Sequence, residues 1–454
     1  MKLRTTLIAL ALAANSMAQG IIDTHCHLIT PRYVAALQRQ GLLLDEGFPL
    51  PQWSADRHLT WMDQAGIATS VLTLPAPYPL WGSPDENARC IREANEEAAE
   101  LKRRHPGRFK FCASLPLPDV QAALREAAYA LDTLEADGIR LATNARGQYL
   151  GAAELDTLFG FLNQRRAVVI LHPHRPEPVN RQVMQQTPLA LQEYLSETTR
   201  AVANMVGRNV PARFPRVRIV VPHCGAYLPL AVPRMKSLVP VMQANRLMGD
   251  VDWEANLAAL YYDLAGAHSP EVIRMMLTIT TPDHLLYGSD YPYATAQALT
   301  AGLQRMKQYL SEEYDLQPFR KMILEQNARR LLGGAVEQDT VGAAPTQMVV
   351  RLAEIEVHAQ YLSEYLAYAH EVDRLSAERE AGVVCLFPMQ HADDSTRISI
   401  LEIYTSEEAY RKHVQTAHFL KYKQGTLHMV KSLRLPTMQP LDVKTMGKIF
   451  RKMN

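Results

Sequence analysis

The sequence predicts an α/β fold, a (β/α)8 barrel of eight parallel strands followed by a smaller ferredoxin-like α+β domain. Eight short apolar runs alternate with amphipathic stretches of helical length over about 315 of the 454 residues, a usual size for this barrel. Histidine or aspartate stands where four of these runs end. Because the carboxyl ends of barrel strands meet at one mouth, the same pattern predicts a functional site there.

The eight apolar runs define the predicted strands. Short runs of this kind, separated by helix-length stretches, are typical of βα units and a parallel sheet. The runs cover residues 21–23, 70–74, 109–114, 138–141, 167–171, 218–222, 260–263 and 285–289.

The ends of the first, fifth, sixth and eighth runs carry metal-binding side chains. His25 and His27 follow the first run as His-x-His, and alternation along a strand places both imidazoles on one face. His172 ends the fifth run and Asp290 the eighth, which gives four ligands for one borderline divalent metal. His223 ends the sixth run and is expected beside the metal. A single histidine at a strand end is more often structural, but four matches on different strands favour a metal site.

A second domain follows a change of pattern near residue 335. We place the barrel at residues 19–335, a polar linker at 336–346, the second domain at 347–437 and a basic tail at 438–454. The second domain reads as strand, helix, strand, strand, helix and strand, which is the ferredoxin-like plan. Its predicted strands cover residues 348–357, 382–389, 397–404 and 428–435, and its first helix covers 360–377.

Residues 1–18 have the pattern of a secretory signal peptide. A basic start is followed by an apolar stretch at residues 6–14 and by Ser16-Met17-Ala18, a small-x-small cleavage site. We therefore expect a secreted or periplasmic protein, with a buried N-terminal helix as the alternative.

Composition excludes some classes of partner. With 48 Lys and Arg against 47 Asp and Glu, the formal charge of +1 gives no reason to expect nucleic acid. The 5 cysteines lack close pairs, so they do not form a disulfide framework.

The barrel resembles the amidohydrolase superfamily, in the branch of aminocarboxymuconate-semialdehyde decarboxylase and related aromatic-acid decarboxylases. A second set of segments, at residues 115–120, 136–138 and 149–151, is most similar to 6-methylsalicylate decarboxylases. The residues that carry the branch resemblance are Asp23-Thr24-His25-Cys26-His27, His172, His223, Tyr287-Gly288-Ser289-Asp290-Tyr291-Pro292, Met62-Asp63-Gln64-Ala65-Gly66-Ile67 and Asn327-Ala328.

This resemblance implies a non-oxidative decarboxylase of a small hydroxylated aromatic, or related unsaturated, carboxylic acid. His25, His27, His172 and Asp290 would hold one Zn²⁺, with Mn²⁺ as the alternative, and His223 would be the acid/base group beside it. Either His223 or Asp290 would protonate the ring carbon that bears the carboxyl group. Two-metal relatives use a carboxylated lysine after strand four, and this chain has no lysine from residue 111 to 235.

The resemblance also implies a cation for the substrate carboxylate. An arginine usually precedes the Met-Asp-x-x-Gly-Ile stretch in this branch. Here Arg57 and His58 occupy that neighbourhood, and both are candidates for substrate binding.

A hydrolase is the alternative activity, because nearly the same residues can serve it. The metal would lower the pKa of a bound water, and His223 or Asp290 would remove its proton before attack on a lactone or amide. Ligand binding without turnover is disfavoured by the complete metal-binding set.

The second domain resembles the antibiotic-biosynthesis-monooxygenase family, some of whose members oxidise quinols without a cofactor. The residues that carry the resemblance are Glu402-Ile403-Tyr404, Glu408-Ala409-Tyr410, His413 and His418-Phe419-Leu420-Lys421-Tyr422. His413 and His418 are candidates to flank an aromatic ligand, with helix-surface histidines as the alternative. The resemblance implies a homodimer that pairs through this domain.

Overall fold

The computed structural model describes residues 20–42, 44–180, 182, 187–313, 315–333, 348–380 and 382–438. The predicted signal peptide, the linker and the basic tail after Met438 lie outside the described residues. By their contacts, the residues divide into two units, Met1–Gly334 and Ala335–Asn454.

Eight parallel strands of the first unit follow one another around a barrel in sequence order, which confirms the predicted fold. Hydrogen bonds between β1 and the segment after β8 complete the circle: Tyr287 accepts from the backbone of Thr24 at 3.0 Å, and Asp290 donates to the carbonyl of His25 at 2.8 Å. The strands are β1 Ile21–His27, β2 Ile67–Thr73, β3 Phe109–Ser114, β4 Gly138–Ala142, β5 Val168–His172, β6 Arg218–Val221, β7 Tyr261–Asp263 and β8 Leu285–Leu286.

Helices form the outer layer, and side-chain caps fix where several of them begin. Ser83 accepts from the backbone of Glu86, whose carboxylate accepts from the backbone of Ser83, so the longest helix starts with a capping box. The helices are α1 Pro31–Arg39, α2 Ala55–Ala65, α3 Pro84–Arg104, α4 Val120–Asp132, α5 Asp156–Gln164, α6 Glu193–Gly207, α7 Val210–Arg213, α8 Leu228–Ala244, α9 Trp253–Ala258, α10 Pro270–Met276, α11 Ala296–Glu312 and α12 Asn327–Leu332. The loops contain two short antiparallel ribbons. One pairs Leu44–Asp45 with Phe48–Pro49, and the other pairs Asn144–Ala145 with Gln148–Tyr149.

Apolar side chains fill the barrel near the starts of its strands. There Leu331 and Leu332 of α12 pack against a buried cluster. The cluster contains Ile22, Val71, Cys112, Val168, Ile170, Val220 and Leu286. Since this end is packed solid, the polar side chains lie towards the other end of the barrel, where the strands finish.

The second unit is an antiparallel sheet with helices, and its strand order is that of the ferredoxin-like plan. β9 Val349–Val357 lies between β11 Arg397–Tyr404 and β12 Val430–Arg434, and β10 Val383–Gln390 pairs with β11. A two-residue strand, β13 Thr437–Met438, also pairs with β9. The helices are α13 Leu362–Arg379, α14 Glu407–His413 and α15 Ala417–Thr426, so the predicted second helix is two helices. Across the described residues of both units, no helix combines the length and apolarity needed to cross a membrane.

Candidate metal centre and active site

The structure brings the four predicted metal ligands together at the mouth of the barrel. Ligand atoms of His25, His27, His172 and Asp290 all lie within 4.8 Å of one another. The three imidazoles are buried, and the ring centroids of His27 and His172 are 4.6 Å apart. His25 and His27 belong to β1 itself, because this strand continues to His27 rather than ending before the histidines.

Hydrogen bonds fix the proton of two of these histidines on Nδ1. His25 donates from Nδ1 to Oδ2 of Asp263 at 2.9 Å, and His172 donates from Nδ1 to the carbonyl of Pro173 at 3.0 Å. Carboxylates and carbonyls only accept, so Nδ1 of each imidazole carries a proton and Nε2 is the nitrogen left for a metal. The Nε2 atom of His25 is buried and has no hydrogen-bond partner, which fits a metal ligand.

The third histidine is arranged in the same way. Thr73 donates its hydroxyl proton to the carbonyl of Cys26 at 3.1 Å, so its oxygen accepts from Nδ1 of His27 at 3.2 Å. Nε2 of His27 then faces Oδ1 of Asp290 at 3.0 Å. Three Nε2 atoms and one carboxylate therefore converge, and this donor set fits a divalent ion such as Zn²⁺ or Mn²⁺.

The protonation of the histidines follows from their surroundings. Burial lowers the pKa of His27 to about 4 and that of His172 well below its usual value, so both are neutral as ligands must be. Burial also acts to lower the pKa of His25, but the carboxylates of Asp263 and Asp290 raise it to about 9. Without a metal, Nε2 of His25 therefore also carries a proton at neutral pH, and a bound metal would displace it.

Asp263, which sequence reasoning did not assign to the site, supports two site histidines at once. Its Oδ2 accepts from His25, and its Oδ1 accepts from the backbone N–H groups of His223 and Ala265, both at 3.1 Å. Burial acts to raise its pKa, but the charge and hydrogen bond of His25 hold that pKa below its usual value. Its position at the end of the seventh predicted strand was a signal that could have identified it.

His223 lies beside the four ligands, as expected. Its Nε2 is 3.5 Å from Oδ2 of Asp290, and its ring centroid is 4.9 Å from that of His25. Burial acts to raise the pKa of Asp290, but hydrogen bonds with His223 and His27 hold it well below its usual value. Both His223 and Asp290 have positive φ, at 55° and 63°, a strained backbone of the kind that clusters at functional sites.

A cavity of about 380 Å³ opens over this site. Its polar wall is formed by His172, His223 and Asp290. Apolar and aromatic side chains form the rest, among them Phe48, Tyr194, Leu195 and Tyr293. A cavity of this size with an apolar wall and a few convergent polar groups suits one small aromatic ring.

The structure places the two predicted substrate-binding residues elsewhere. Arg57 is exposed on α2, where it donates to Gln52 at 3.1 Å. His58 is fully buried and accepts from Nε1 of Trp53 at 3.2 Å, with its ring 4.4 Å from that of Tyr291. Burial lowers the pKa of His58 to about 3. Neither residue lines the cavity over the metal ligands.

The second unit has a site of its own. Oε1 of Glu380, a residue that sequence reasoning missed, accepts from Nδ1 of His413 at 2.9 Å and from Nε2 of His418 at 2.6 Å. His413 is buried and lines a cavity of about 500 Å³, together with Tyr404 and Phe419, whereas His418 does not line it. The two histidines are therefore not equivalent, and only His413 faces a ligand-sized space.

Comparison with known protein families finds one matching family for each of the two units. Residues 22–334 match the amidohydrolase family. Residues 348–425 match the antibiotic biosynthesis monooxygenase family.

The relatives of the first unit include named decarboxylases. A decarboxylase of Aspergillus niger is 34% identical over 299 residues, which cover 63% of this chain and 81% of the relative. A 6-methylsalicylic acid decarboxylase of Penicillium expansum is 30% identical over 283 residues, 61% of this chain and 86% of the relative. The crystal structure of 5-carboxyvanillate decarboxylase from Novosphingobium aromaticivorans, with manganese and 4-hydroxy-3-methoxy-5-nitrobenzoic acid, has the same fold. It is 19% identical, with a TM-score of 0.60 over 70% of this chain and 96% of that one.

Proposed function

The chain belongs to the amidohydrolase family, and from that premise we propose that its barrel decarboxylates small hydroxylated aromatic carboxylic acids with one divalent metal. The observation that carries the proposal is the convergence of His25, His27, His172 and Asp290 beside His223, under a cavity sized for one aromatic ring. The decarboxylases of Aspergillus niger and Penicillium expansum support the reaction class, and the latter supports 6-methylsalicylate as a first substrate to test.

The metal would be held by the three Nε2 atoms and the carboxylate of Asp290. When bound, it withdraws electron density from substrate oxygens and stabilises the negative charge that develops during the reaction. Three histidines and one carboxylate suit Zn²⁺, our first choice. Mn²⁺ is the alternative, which the manganese in the 5-carboxyvanillate decarboxylase supports.

His223 and Asp290 would handle the proton. Oδ1 of Asp290 faces Nε2 of His25 and His27, at 3.4 and 3.0 Å, while Oδ2 faces Nε2 of His223 at 3.5 Å. The pair would deliver a proton to the ring carbon that bears the carboxylate. The bond from that carbon to the carboxylate then breaks, carbon dioxide leaves, and the bond's electron pair restores the aromatic ring.

Hydrolysis of a lactone or amide is the competing activity of the same residues. There His223 or Asp290 would accept a proton from water instead of giving one to carbon. Release of carbon dioxide from a hydroxylated benzoate separates the two, because hydrolysis leaves every carboxylate in place.

For the second unit we propose that it binds the phenol or hydroquinone that decarboxylation yields, or oxidises the hydroquinone to a quinone without a cofactor, with molecular oxygen accepting the two electrons and two protons. Tyr404, His413 and Phe419 supply an aromatic wall to its cavity, and Oδ2 of Asp373 is buried there without a hydrogen-bond partner. Burial raises the pKa of Asp373 to about 6. Calorimetry on the full chain should therefore show two phenol sites, one of them lost when Ala369, which also lines this cavity, is changed to Phe. A chain with one site, and no oxygen uptake with hydroquinones, would leave dimerisation as the simpler role.

We also propose that the chain is exported and forms a homodimer. The pattern of residues 1–18 supports export. Exposed apolar side chains on β10, Val384, Phe387 and Met389, support pairing through the sheet of the second unit.

A further inference from the structure

Arg140 is a charged residue inside the barrel, in the middle of β4. Its exposure is 0%. The neighbours on either side, Ile139 and Leu141, belong to the large apolar cluster that includes helix residues outside the barrel. Because side chains alternate along a strand, Arg140 points to the opposite side, into the barrel interior, as Ile170 of the paired β5 does.

No carboxylate of a described residue lies within salt-bridge distance of this guanidinium. Nε, Nη1 and Nη2 of Arg140 are all buried and none has a partner at regular hydrogen-bond geometry; Tyr78, whose side chain interacts with them, is neutral. The group lies over the ring of Tyr78, with Cζ 4.5 Å from the ring centroid. A buried cation that lacks an anionic partner is costly, so such a residue is expected where a ligand supplies the anion.

Arg140 lies one layer below the metal ligands in the barrel interior and is not itself on the wall of the cavity of about 380 Å³. Ala142 of β4 is paired with His172 of β5, and Arg140 precedes Ala142 by two residues on β4. Tyr78, on which the guanidinium lies, is in the loop after β2, at the same end of the barrel as the ligands.

We infer that Arg140 binds the carboxylate of the aromatic acid, and this inference rests on the proposed decarboxylase function. A guanidinium matches a carboxylate through paired N–H donors, and a buried site strengthens that contact. Asp290 among the ligands and Asp263 behind His25 already place two carboxylates at the site, so an incoming carboxylate needs a compensating cation. Arg57, which the family resemblance favours for this role, is exposed and donates to Gln52 instead.

The test compares two ligands of similar size, one with a carboxylate and one with a nitro group at the same ring position. 2,6-Dimethylbenzoate has the carboxylate of 6-methylsalicylate but lacks the hydroxyl group, so it binds without reacting. 3-Methyl-2-nitrophenol replaces the carboxylate by a neutral nitro group. Calorimetry would measure the Kd of each for the metal-loaded full chain and for Arg140→Met, with metal content checked in both proteins.

The inference predicts that Arg140→Met weakens 2,6-dimethylbenzoate binding about 10- to 100-fold and changes binding of the nitrophenol less than about 3-fold. Arg140→Lys keeps the charge and loses the paired donors, so its loss of 2,6-dimethylbenzoate affinity should be smaller than that of Arg140→Met. It replaces Arg140→Met in the test if that variant does not fold. Equal losses for both ligands, or a selective loss in Arg57→Met instead, would overturn the assignment to Arg140 while leaving the proposed function intact. A wild-type chain that binds neither ligand overturns the proposed function and this inference together.

Discussion

Asp263 holds His25 in place through a 2.9 Å hydrogen bond between Oδ2 and Nδ1, although 238 positions separate the two residues. This contact holds a proton on Nδ1 of His25, so Nε2 is the nitrogen directed at the other ligands and available to a metal. The second oxygen of Asp263 accepts the backbone N–H of His223. One buried carboxylate therefore supports both the metal site and the neighbouring acid/base candidate.

Asp263→Asn should weaken metal binding about 10- to 100-fold, because an amide cannot accept from His25 and His223 with both of its polar atoms. Competition with a coloured chelator would measure the affinity. Asp315→Asn is a matched control, since Asp315 pairs with Arg274 on the surface. Unchanged affinity in Asp263→Asn would show that the 2.9 Å contact does not support the ligand.

His223→Ala should reduce turnover about 100- to 10,000-fold with metal content near one ion per chain, because it removes an acid/base group and no ligand. Elemental analysis and a single-turnover assay measure the two quantities on the same sample. If the metal is lost as well, His223 is a ligand and the four-residue metal site is incomplete.

Gly288→Ala should destabilise the first unit by about 1–3 kcal/mol and weaken metal binding, because a methyl group there overpacks the site. The added Cβ would lie 2.8 Å from Cβ of His25 and 3.1 Å from Cβ of Asp263. Urea unfolding of the metal-free and metal-loaded protein measures both effects. Gly302→Ala is the matched control: it lies in α11 with no atom within 4 Å of the added Cβ, so it should stabilise the helix slightly. Equal effects at the two glycines would contradict the packing argument.

His58 should make the first unit sensitive to acid. Its pKa is about 3 in the folded chain, where burial is the main cause, against an ordinary value of 6.5. The folded-state pKa is depressed, so this stability is fully present above pH 6.5 and is lost as pH falls towards about 3. At pH 5 the loss should be about 2 kcal/mol.

Urea unfolding of metal-free protein at pH 7 and pH 5 measures this effect. His58→Gln keeps an acceptor for Trp53 and should reduce the difference between the two pH values by about 2 kcal/mol. The rest of the difference comes from other buried histidines, such as His27 and His172, whose pKa values are also lowered. His268→Gln, at an exposed histidine, is the control. A pH dependence that is the same in His58→Gln and the wild type would refute the role given to His58.

Phe387→Glu should convert the expected homodimer to monomers, because it places a charge among the exposed apolar side chains of β10. Light scattering after size-exclusion chromatography measures the mass of each protein. A wild-type chain that elutes as a monomer would contradict the dimer directly.

The sequence predicted the barrel and much of its site because the apolar runs mark the strands and the candidate ligands stand where those strands end. His25, His27, His172 and Asp290 stand at strand ends, so predicting the strands also predicted that these side chains meet. Asp263 stands at a strand end too, but a single aspartate there looks like an ordinary turn residue until its distant partner His25 is known.

Two further residues were harder to predict. Arg140 was visible as a charge between Ile139 and Leu141, but only the structure shows that it is buried with no carboxylate in salt-bridge contact. Glu380 directly follows α13, and its contacts with His413 and His418 depend on how three helices pack. Tertiary packing of this kind is not encoded in a local pattern.

Carbon dioxide release from a panel of 2-hydroxybenzoates, including 6-methylsalicylate, tests the central claim most directly. The protein would be loaded with Zn²⁺ or Mn²⁺ and compared with His223→Ala at equal metal content. The proposed function predicts release of one carbon dioxide for each phenol formed by the wild type, and its loss in the variant. No release across the panel by fully loaded protein, with opening of a lactone instead, would contradict a decarboxylase and establish the hydrolase.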